Sequence, residues 1–563
     1  MSDHSAPRLR DRFRTTADLI RGLGPATSSG VLGTMGPAAI GNTVKSIYRW
    51  DFMPSGLLGI AAARDPHHTA IIDDGGSITY SGLNERSTQL ARALRHGNIR
   101  PRDRIGVLCR NHRGFIMALC AHGRLGTDLV LLNPGASAQQ TNAVIREQKI
   151  DFLFIDEEFT HILADDFDQC PVAVAWLEDY EDTSCVREGW TSMREMIRTA
   201  PPADFAGAQL ESRPRRGRVI ILTSGTTGTP KGARRPEARS WQPASAIISK
   251  IPLRQRRLAF LAAPLFHTWG FGALQLCLGL RSTILLRRHF DPIDCLRMLE
   301  SHQPDTLFVV PTMLQRMLEA TPRSRDIDAG WLRVIASCGS AIPQRIVEET
   351  LERFGPVLYN QYGSTEVSWA TIATPEELAK QPTTAGKAPL GTRLSIRDDE
   401  GNEVPDGTVG RIFIGNNMLY EGYTRPGADK DIIEGMVCTG DLGYIDDEGL
   451  LYVSGREDDM IVSGGENVFP RETEDVLSEL EGIRECAVVG APDDKFGQAL
   501  VAYVVRTNDE AGEALDHETI RSFVKEQLTR FNVPRETIFL DELPRNAVGK
   551  VVPRMLPKPG ADN

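Results

Sequence analysis

Several absences narrow the reading of this 563-residue chain. Its nine cysteines, an odd number, are scattered and never form a C-x-x-C pair, so neither a zinc ribbon nor a disulfide framework is indicated. Isolated thiols of this kind fit a reducing compartment. Eleven histidines include the adjacent pair His67-His68 but no H-E-x-x-H signature, and a solvated loop accounts for the pair. No apolar run reaches the ~18 residues of a membrane span. The nearest approach, Gly22 to Val44, is uncharged but broken by two prolines and many glycines. It follows the Arg-rich start "RLRDRFR", which contains Asp11, and it lacks the Leu-rich stretch of a signal peptide. Basic excess is missing too. Lys and Arg total 64 against 75 Asp and Glu, a net charge of −11, where a general nucleic-acid binder carries a basic stripe. The expectation is a cytoplasmic protein with no nucleic-acid partner.

The chain is longer than one hydrophobic core usually fills, so at least two domains are expected. From residue 69 the pattern turns regular. "TAIIDDGGSITYSGL" reads as two short strands around a turn, and the helix that follows has Ser81 as its expected N-cap. Apolar runs such as "RIGVLCRN", "VIILTSG", "TLFVVP", "LRVIASCG" and "PVLYNQYG" alternate with helical stretches. That alternation predicts an α/β protein whose large N-terminal domain holds α/β subdomains with mainly parallel sheets. The last hundred residues change texture, with paired strands at "ECAVVGAPDDKFGQALVAYVV" and a helix at "HETIRSFVKEQL". They are expected to form a small α+β domain. The expected division is an appendage at 1–50, a main domain at 51–457 and a C-terminal domain at 458–563.

Three informative loops each follow an apolar strand, where parallel sheets place their ligands. "TSGTTGTPKG" offers hydroxyls, unobstructed backbone N–H groups and Lys231 to a polyphosphate. It is not a Walker loop, because Pro230 precedes Lys231 and Gly232 follows it. Alone, such a segment is more often only a turn. In "NQYGSTE" an aromatic, two hydroxyls and a carboxylate stand together. Tyr362 suits stacking on a purine, Thr365 a phosphate oxygen, and Glu366 a hard cation such as Mg²⁺, although a capped helix start fits the same letters. "TGD", ending at Asp441, and "SGRED", containing Arg456, suit ribose hydroxyls or, equally, a hairpin turn with a surface ion pair.

Taken in order, "TSGTTGTPKG … YGSTE … TGD … GRED … GGENVFPRETE … NAVGK" resembles the adenylate-forming superfamily of acyl-CoA synthetases, luciferases and peptide-synthetase adenylation domains. The resemblance runs from about residue 50 to 555. It implies that a carboxylic acid attacks ATP to give an acyl-adenylate and pyrophosphate, after which a thiol displaces AMP. ATP, Mg²⁺ and CoA are the implied cofactors. Matched position by position, Thr223, Ser224, Gly225, Thr226, Thr227, Gly228 and Lys231 form the phosphate loop. Gly339, Ser340 and Tyr362 flank adenine, Asp441 and Arg456 hold ribose, and Thr365 meets phosphate. Glu366 and Thr226 attend the metal, and Lys550 bridges carboxylate and α-phosphate. Asp458 is the implied hinge of a mobile C-terminal domain, with Gly464, Gly465 and Asn467 turned toward the CoA channel.

The same resemblance bears on the acid. Amino-acid-activating members carry an Asp just after the aromatic of the segment matched by "PLFHTWGF". Here Phe266 is followed by His267, Thr268 and Trp269, so a substrate ammonium would lack its partner. His267 matches a residue near the acyl entrance, though a core histidine fits as well. "QYGSTEVSWATIATPEEL" and "SGGENVFPRETE" resemble bacterial fatty-acyl-CoA ligases, so a medium- or long-chain fatty acid is the expected substrate, with an aryl acid as the alternative. Because the sequence ends soon after Lys550 with no carrier domain, CoA is the expected acceptor and a separate acyl carrier protein the alternative. The N-terminal segment is expected to suit peripheral contact with a membrane surface.

Overall fold

The structure is a computed structural model that describes residues 24, 25, 27–30, 35–164, 167–177, 186–223, 231–321, 329–424, 430–463, 466–493, 497–546 and 549–559. Eight strands make the first sheet, in the order Thr371–Ala373, Leu358–Tyr362, Val334–Cys338, Thr306–Val309, Leu258–Leu261, Thr283–Leu285, Thr69–Asp73, Gly76–Thr79. All its inner pairings are parallel, and only the two edge strands run antiparallel. A second sheet orders seven strands as Thr191–Ser192, Val172–Trp176, Phe152–Asp156, Arg104–Leu108, Asp128–Leu131, Val219–Thr223, Lys231–Arg235, again parallel but for the last. Strands such as Val334–Cys338 and Phe152–Asp156 are buried at every position. Parallel sheets covered on both faces require such unbroken apolar runs.

The largest core lies between the two sheets. It is filled by the helices Tyr80–His96, Arg113–Leu125 and Thr268–Gly279. Thr79 caps the first of these, accepting a 3.2 Å hydrogen bond from the Gly82 N–H, so the cap is Thr79 rather than the expected Ser81. A third, antiparallel sheet contains Arg393–Arg397, Gly410–Gly415, Met436–Ile445 and Leu451–Arg456. The "TGD" segment lies inside its ten-residue strand and is not a hairpin turn.

Past Arg456 a short turn, Glu457–Asp459, leads to the pair Ile461–Ser463 and Glu466–Val468. Beyond it, Ile483–Asp493, Gly497–Arg506 and Glu536–Leu540 form a three-stranded sheet backed by the helices Pro470–Leu477 and His517–Gln527. This is the small α+β unit. Arg484 pairs with Glu319 at 3.0 Å, and Gly549 lies so close to Thr312 that an added Cβ would stand 2.1 Å from its hydroxyl.

At the other end, the helices Pro37–Trp50 and Pro54–Arg64 precede the first strand. The second is largely buried against the central helices: an added Cβ on Gly123 would meet the Ser55 hydroxyl at 2.0 Å. The first is moored by Arg49, which donates to the Ser212 carbonyl at 3.0 Å, and by Trp50, whose ring lies under the Arg124 guanidinium. Its outer face exposes Ile40, Val44 and Tyr48. Among the described residues no helix is long and apolar enough to cross a membrane.

Candidate active site

The ends of the parallel strands bring separated motifs into one crevice. Tyr362 closes the strand Leu358–Tyr362, and Gly339 follows Val334–Cys338. Thr223 and Lys231 are opposed across the Val219–Thr223 and Lys231–Arg235 pair. Gly339 has φ +120°, a conformation side chains rarely adopt, and it lies open at the crevice with Ser340. Ser224, Gly225, Thr226, Thr227 and Gly228 lie outside the described residues, as do Gly464 and Gly465, and of Thr223 and Asn467 only the backbone is described.

Tyr423, a residue the sequence reading passed over, joins two of the expected groups. Lys231 carries its ammonium 5.8 Å from the centre of the Tyr423 ring, while the Tyr423 hydroxyl donates to Glu366. Burial, and then the Glu366 charge, push the Tyr423 phenol far up. The buried Glu366 therefore presents a carboxylate with one oxygen tied down, the kind of hard, oriented oxygen donor that suits Mg²⁺. Beside it, the Thr268 hydroxyl donates to that of Thr365 at 3.1 Å. The capped helix start that the letters "STE" would also fit is not formed; the segment is a turn.

Tyr362 donates to Asp441 at 2.5 Å, and burial followed by the Asp441 charge raises its phenol well above the usual value. Asp441 and Arg456 face each other across the antiparallel ladder. Burial alone would lower the Arg456 pKa, but Asp441, Asp459 and Asp458 outweigh it and hold the guanidinium above its ordinary value. Asp458 sits in the turn after that strand, 3.8 Å from Arg456.

Lys550 comes from the small unit. A tight turn, with Gly549 at φ +79° and the Asn546 side chain accepting from the Lys550 N–H at 3.0 Å, aims it across the crevice. Its surface is open to crevice water, yet enough protein surrounds it that desolvation lowers its pKa below the usual 10.5. Cys338, Asp441 and Glu366 act against that shift, which places all three in its electrostatic reach. His267, at the head of the helix Thr268–Gly279, is pushed down to about 4 by burial and by the Lys550 charge, so its imidazole is neutral at pH 7.

A chain with these motifs in this order around one crevice can be compared with known families. The model of the AMP-binding enzyme family matches residues 59–424, and that of the AMP-binding enzyme C-terminal domain matches residues 472–550. The chain belongs to the AMP-binding enzymes. An indoleacetate–CoA ligase of Aromatoleum aromaticum is 30% identical over 501 residues, 87% of this chain and 94% of its own. A feruloyl-CoA synthase of an Amycolatopsis species is 30% identical over 496 residues, 87% of this chain and 96% of its own. Among solved structures, o-succinylbenzoate CoA synthetase from Bacillus subtilis, in complex with the acyl-adenylate intermediate OSB-AMP, superposes with a TM-score of 0.74 at 27% identity, covering 89% of this chain and 97% of that one.

In this AMP-binding enzyme the crevice continues into a pocket of about 720 Å³, its open mouth included. Thr268 stands in its wall, so the pocket reaches the Thr268–Thr365 contact. Phe52, Trp241, Trp269, Phe271 and Trp369 supply aromatic surface, and Leu57 and Leu276 aliphatic surface. Trp269 and Phe271 lie in the quoted "PLFHTWGF" and Trp369 in the quoted "QYGSTEVSWATIATPEEL", whereas Phe52 and Trp241 lie outside every segment the sequence reading quoted. These aromatic residues come from the turn after the first helix, a loop, the helix Thr268–Gly279 and the segment after Glu366. Gly363 fixes the turn between pocket and crevice, because a Cβ there would stand 2.6 Å from the Ser368 carbonyl and 2.8 Å from the Trp369 Cα. Gly363→Ala is expected to displace Thr365 and Glu366 and to lower kcat/KM by about 10²-fold, since small misplacements at reacting groups cost that much. Steady-state kinetics beside an unchanged far-ultraviolet circular dichroism spectrum check it.

Proposed function

We propose that this AMP-binding enzyme joins an aromatic carboxylic acid to CoA through an acyl-adenylate, releasing AMP and pyrophosphate. The observation that carries the acid class is the aromatic lining of the pocket beside Thr268 and Thr365. Offset or edge-on ring contacts favour a flat aromatic substrate over a flexible chain. The names of the relatives point the same way. Of the two acid classes read from the sequence, the aryl alternative is therefore better supported than the fatty acid.

The chemistry follows from the residues at the crevice. A carboxylate is a poor acyl donor, and adenylation gives it AMP as a leaving group. Negative charge gathers as the acid oxygen attacks the α-phosphorus. Lys550 supplies a partly desolvated cation between the two reacting groups, and Lys231 a second one nearer the departing phosphates. Glu366 would hold the Mg²⁺ that accompanies ATP, with Tyr423 fixing its orientation. Asp441 and Arg456 would take the ribose hydroxyls, and Thr365 a phosphate oxygen. Withdrawal of the small unit about Asp458 would then open the path for CoA. Such a motion needs only a few residues that absorb backbone change, and the short turn Glu457–Asp459 offers them.

Product identity tests this reading. Purified protein is given ATP, Mg²⁺ and a panel of aromatic and fatty acids, with and without CoA, and products are read by mass spectrometry. AMP, pyrophosphate and aryl-CoA thioesters are expected. Thioesters from fatty acids alone would reject the acid class. Adenylates that never pass to CoA would reject the acceptor.

A further inference from the structure

One strand braces the turn that carries Thr365 and Glu366. Lys231 and Arg235 open and close the strand Lys231–Arg235, and at even spacing their side chains leave the same face. Lys231 lies over the Tyr423 ring, whose hydroxyl holds Glu366. Arg235, only 6% exposed, reaches the residue before it. One terminal nitrogen of its guanidinium donates to the Thr365 carbonyl at 2.7 Å, and the other to the Ser368 hydroxyl at 2.7 Å. A planar guanidinium fixes two acceptors in one rigid fork; an ammonium, a point charge on a flexible stem, does not. Ser368 has φ +66°, a conformation that residues other than glycine seldom adopt, and its hydroxyl donates onward to the Met418 carbonyl at 2.6 Å. Strain of this kind persists only where surrounding bonds fix it.

The residues that make these bonds also form the pocket. Arg235, Thr268, Ser368, Trp369 and Met418 all stand in its wall. Thr365 is thus held twice by wall residues, at its hydroxyl by Thr268 at 3.1 Å and at its carbonyl by Arg235. Glu366 follows directly, and its charge lies within electrostatic reach of the same guanidinium. A ligand that fills the pocket and restricts its wall therefore restricts the turn, and a second ligand that needs the turn ordered then meets part of that cost already met.

We propose that Arg235 is a positioning residue that couples the acid pocket to the turn carrying Thr365 and Glu366, so that a bound acid tightens the binding of Mg²⁺ and ATP. This rests on the reading above of the pocket as the acid site and of that turn as the contact for phosphate and metal. It holds for an aromatic or an aliphatic acid alike. Arg235 acts through Thr365 and Ser368 rather than on the reacting atoms. Coupling between two sites is reciprocal, so the nucleotide tightens the acid by the same factor.

The test is titration calorimetry with Mg²⁺, the non-cleavable α,β-methylene analogue of ATP and the best acid of the product panel, each ligand titrated with and without the other. In the unaltered enzyme the acid is expected to lower the Kd of the analogue by about fivefold or more, and the analogue to lower that of the acid by the same factor. Arg235→Lys keeps the charge beside Glu366 but loses the fork, so both factors are expected to fall to about 1. Ser368→Gly tolerates the positive φ and removes one of the two acceptors, so its factor should lie between. If Arg235→Lys does not fold, Ser368→Gly carries the test and must lower the factor by about twofold or more. A merely structural role would weaken each affinity and the thermal stability while leaving the factor where it was. Absence of coupling in the unaltered enzyme, or a factor unmoved in the variant that folds, would overturn the proposal. Gly272→Leu separates this from the reading beneath it, because it places a side chain in open space at the pocket wall. Acid binding indifferent to that change would defeat the pocket as the acid site.

Discussion

Lys550→Ala is expected to slow formation of the acyl-adenylate by about 10²–10³-fold, the usual cost of removing one preorganised charge from a transition state. Transfer from a pre-formed adenylate to CoA should change by no more than about threefold, because the lost contact belongs to the first step alone. The two half-reactions are separated by pyrophosphate exchange and by single-turnover transfer from synthetic adenylate. Equal losses in both would mean that Lys550 props the crevice open rather than serving the first step. The pH dependence carries a second signature. The working form is the ammonium, so the first step is fully active below the Lys550 pKa and fades as pH rises through it. Desolvation has lowered that pKa, and the alkaline limb should therefore fall below 10.5. Lys550→Arg keeps its charge at any accessible pH, so whatever rate it retains should lose that limb.

Glu366→Gln should be nearly as damaging. The substitution preserves size and one oxygen but removes the charge that Tyr423 orients. A fall in kcat of about 10²-fold is expected, together with a marked rise in the Mg²⁺ concentration needed for half-maximal rate, because hard cations bind neutral amide oxygen far more weakly than carboxylate. Tyr423→Phe should shift the Mg²⁺ requirement in the same direction but less, since the carboxylate stays and only its orientation loosens. A Glu366→Gln enzyme with an unchanged Mg²⁺ titration would remove this residue from the metal's surroundings. The folded state is also affected. Arg235, whose charge Glu366 offsets inside the protein, would lose a partner, so thermal unfolding should be recorded beside the kinetics.

Much of the architecture was open to inspection in the letters alone. Runs such as "VIASC" and "TLFV" are apolar without alternation because both faces of their sheet are covered, and the loops that follow them had to lie at the strand ends. Tyr362, Glu366, Lys231 and Lys550 do meet at one crevice, although only folding brings residues some 190 positions apart into contact range. The pocket was only partly hidden. One wall is a helix face, with Thr268, Phe271, Gly272, Gln275 and Leu276 at helical spacing in an apolar run that reads as core, and the rest are single side chains such as Phe52, Trp241, Gln361 and Trp369 from separate elements. Arg235 was hidden differently. Within "GARRPEAR" it reads as one more solvated charge, and the Thr365 carbonyl and the Ser368 hydroxyl, some 130 residues away, explain its burial. Ser81 failed as a cap by a margin too fine for sequence: Thr79, two residues earlier, offers the same hydroxyl in the extended conformation a cap needs.

Phe52 and Leu57, which contribute to the pocket wall, lie ahead of residues 59–424, the stretch matched by the AMP-binding enzyme family model. Leu57 and Trp241 both close in on Gly279, so the front of the chain and the central helix share a seam. The front of the chain is therefore a wall of the chamber as well as a brace for the fold. A version cut back to residue 59 would keep every motif and yet leave one side of the pocket open.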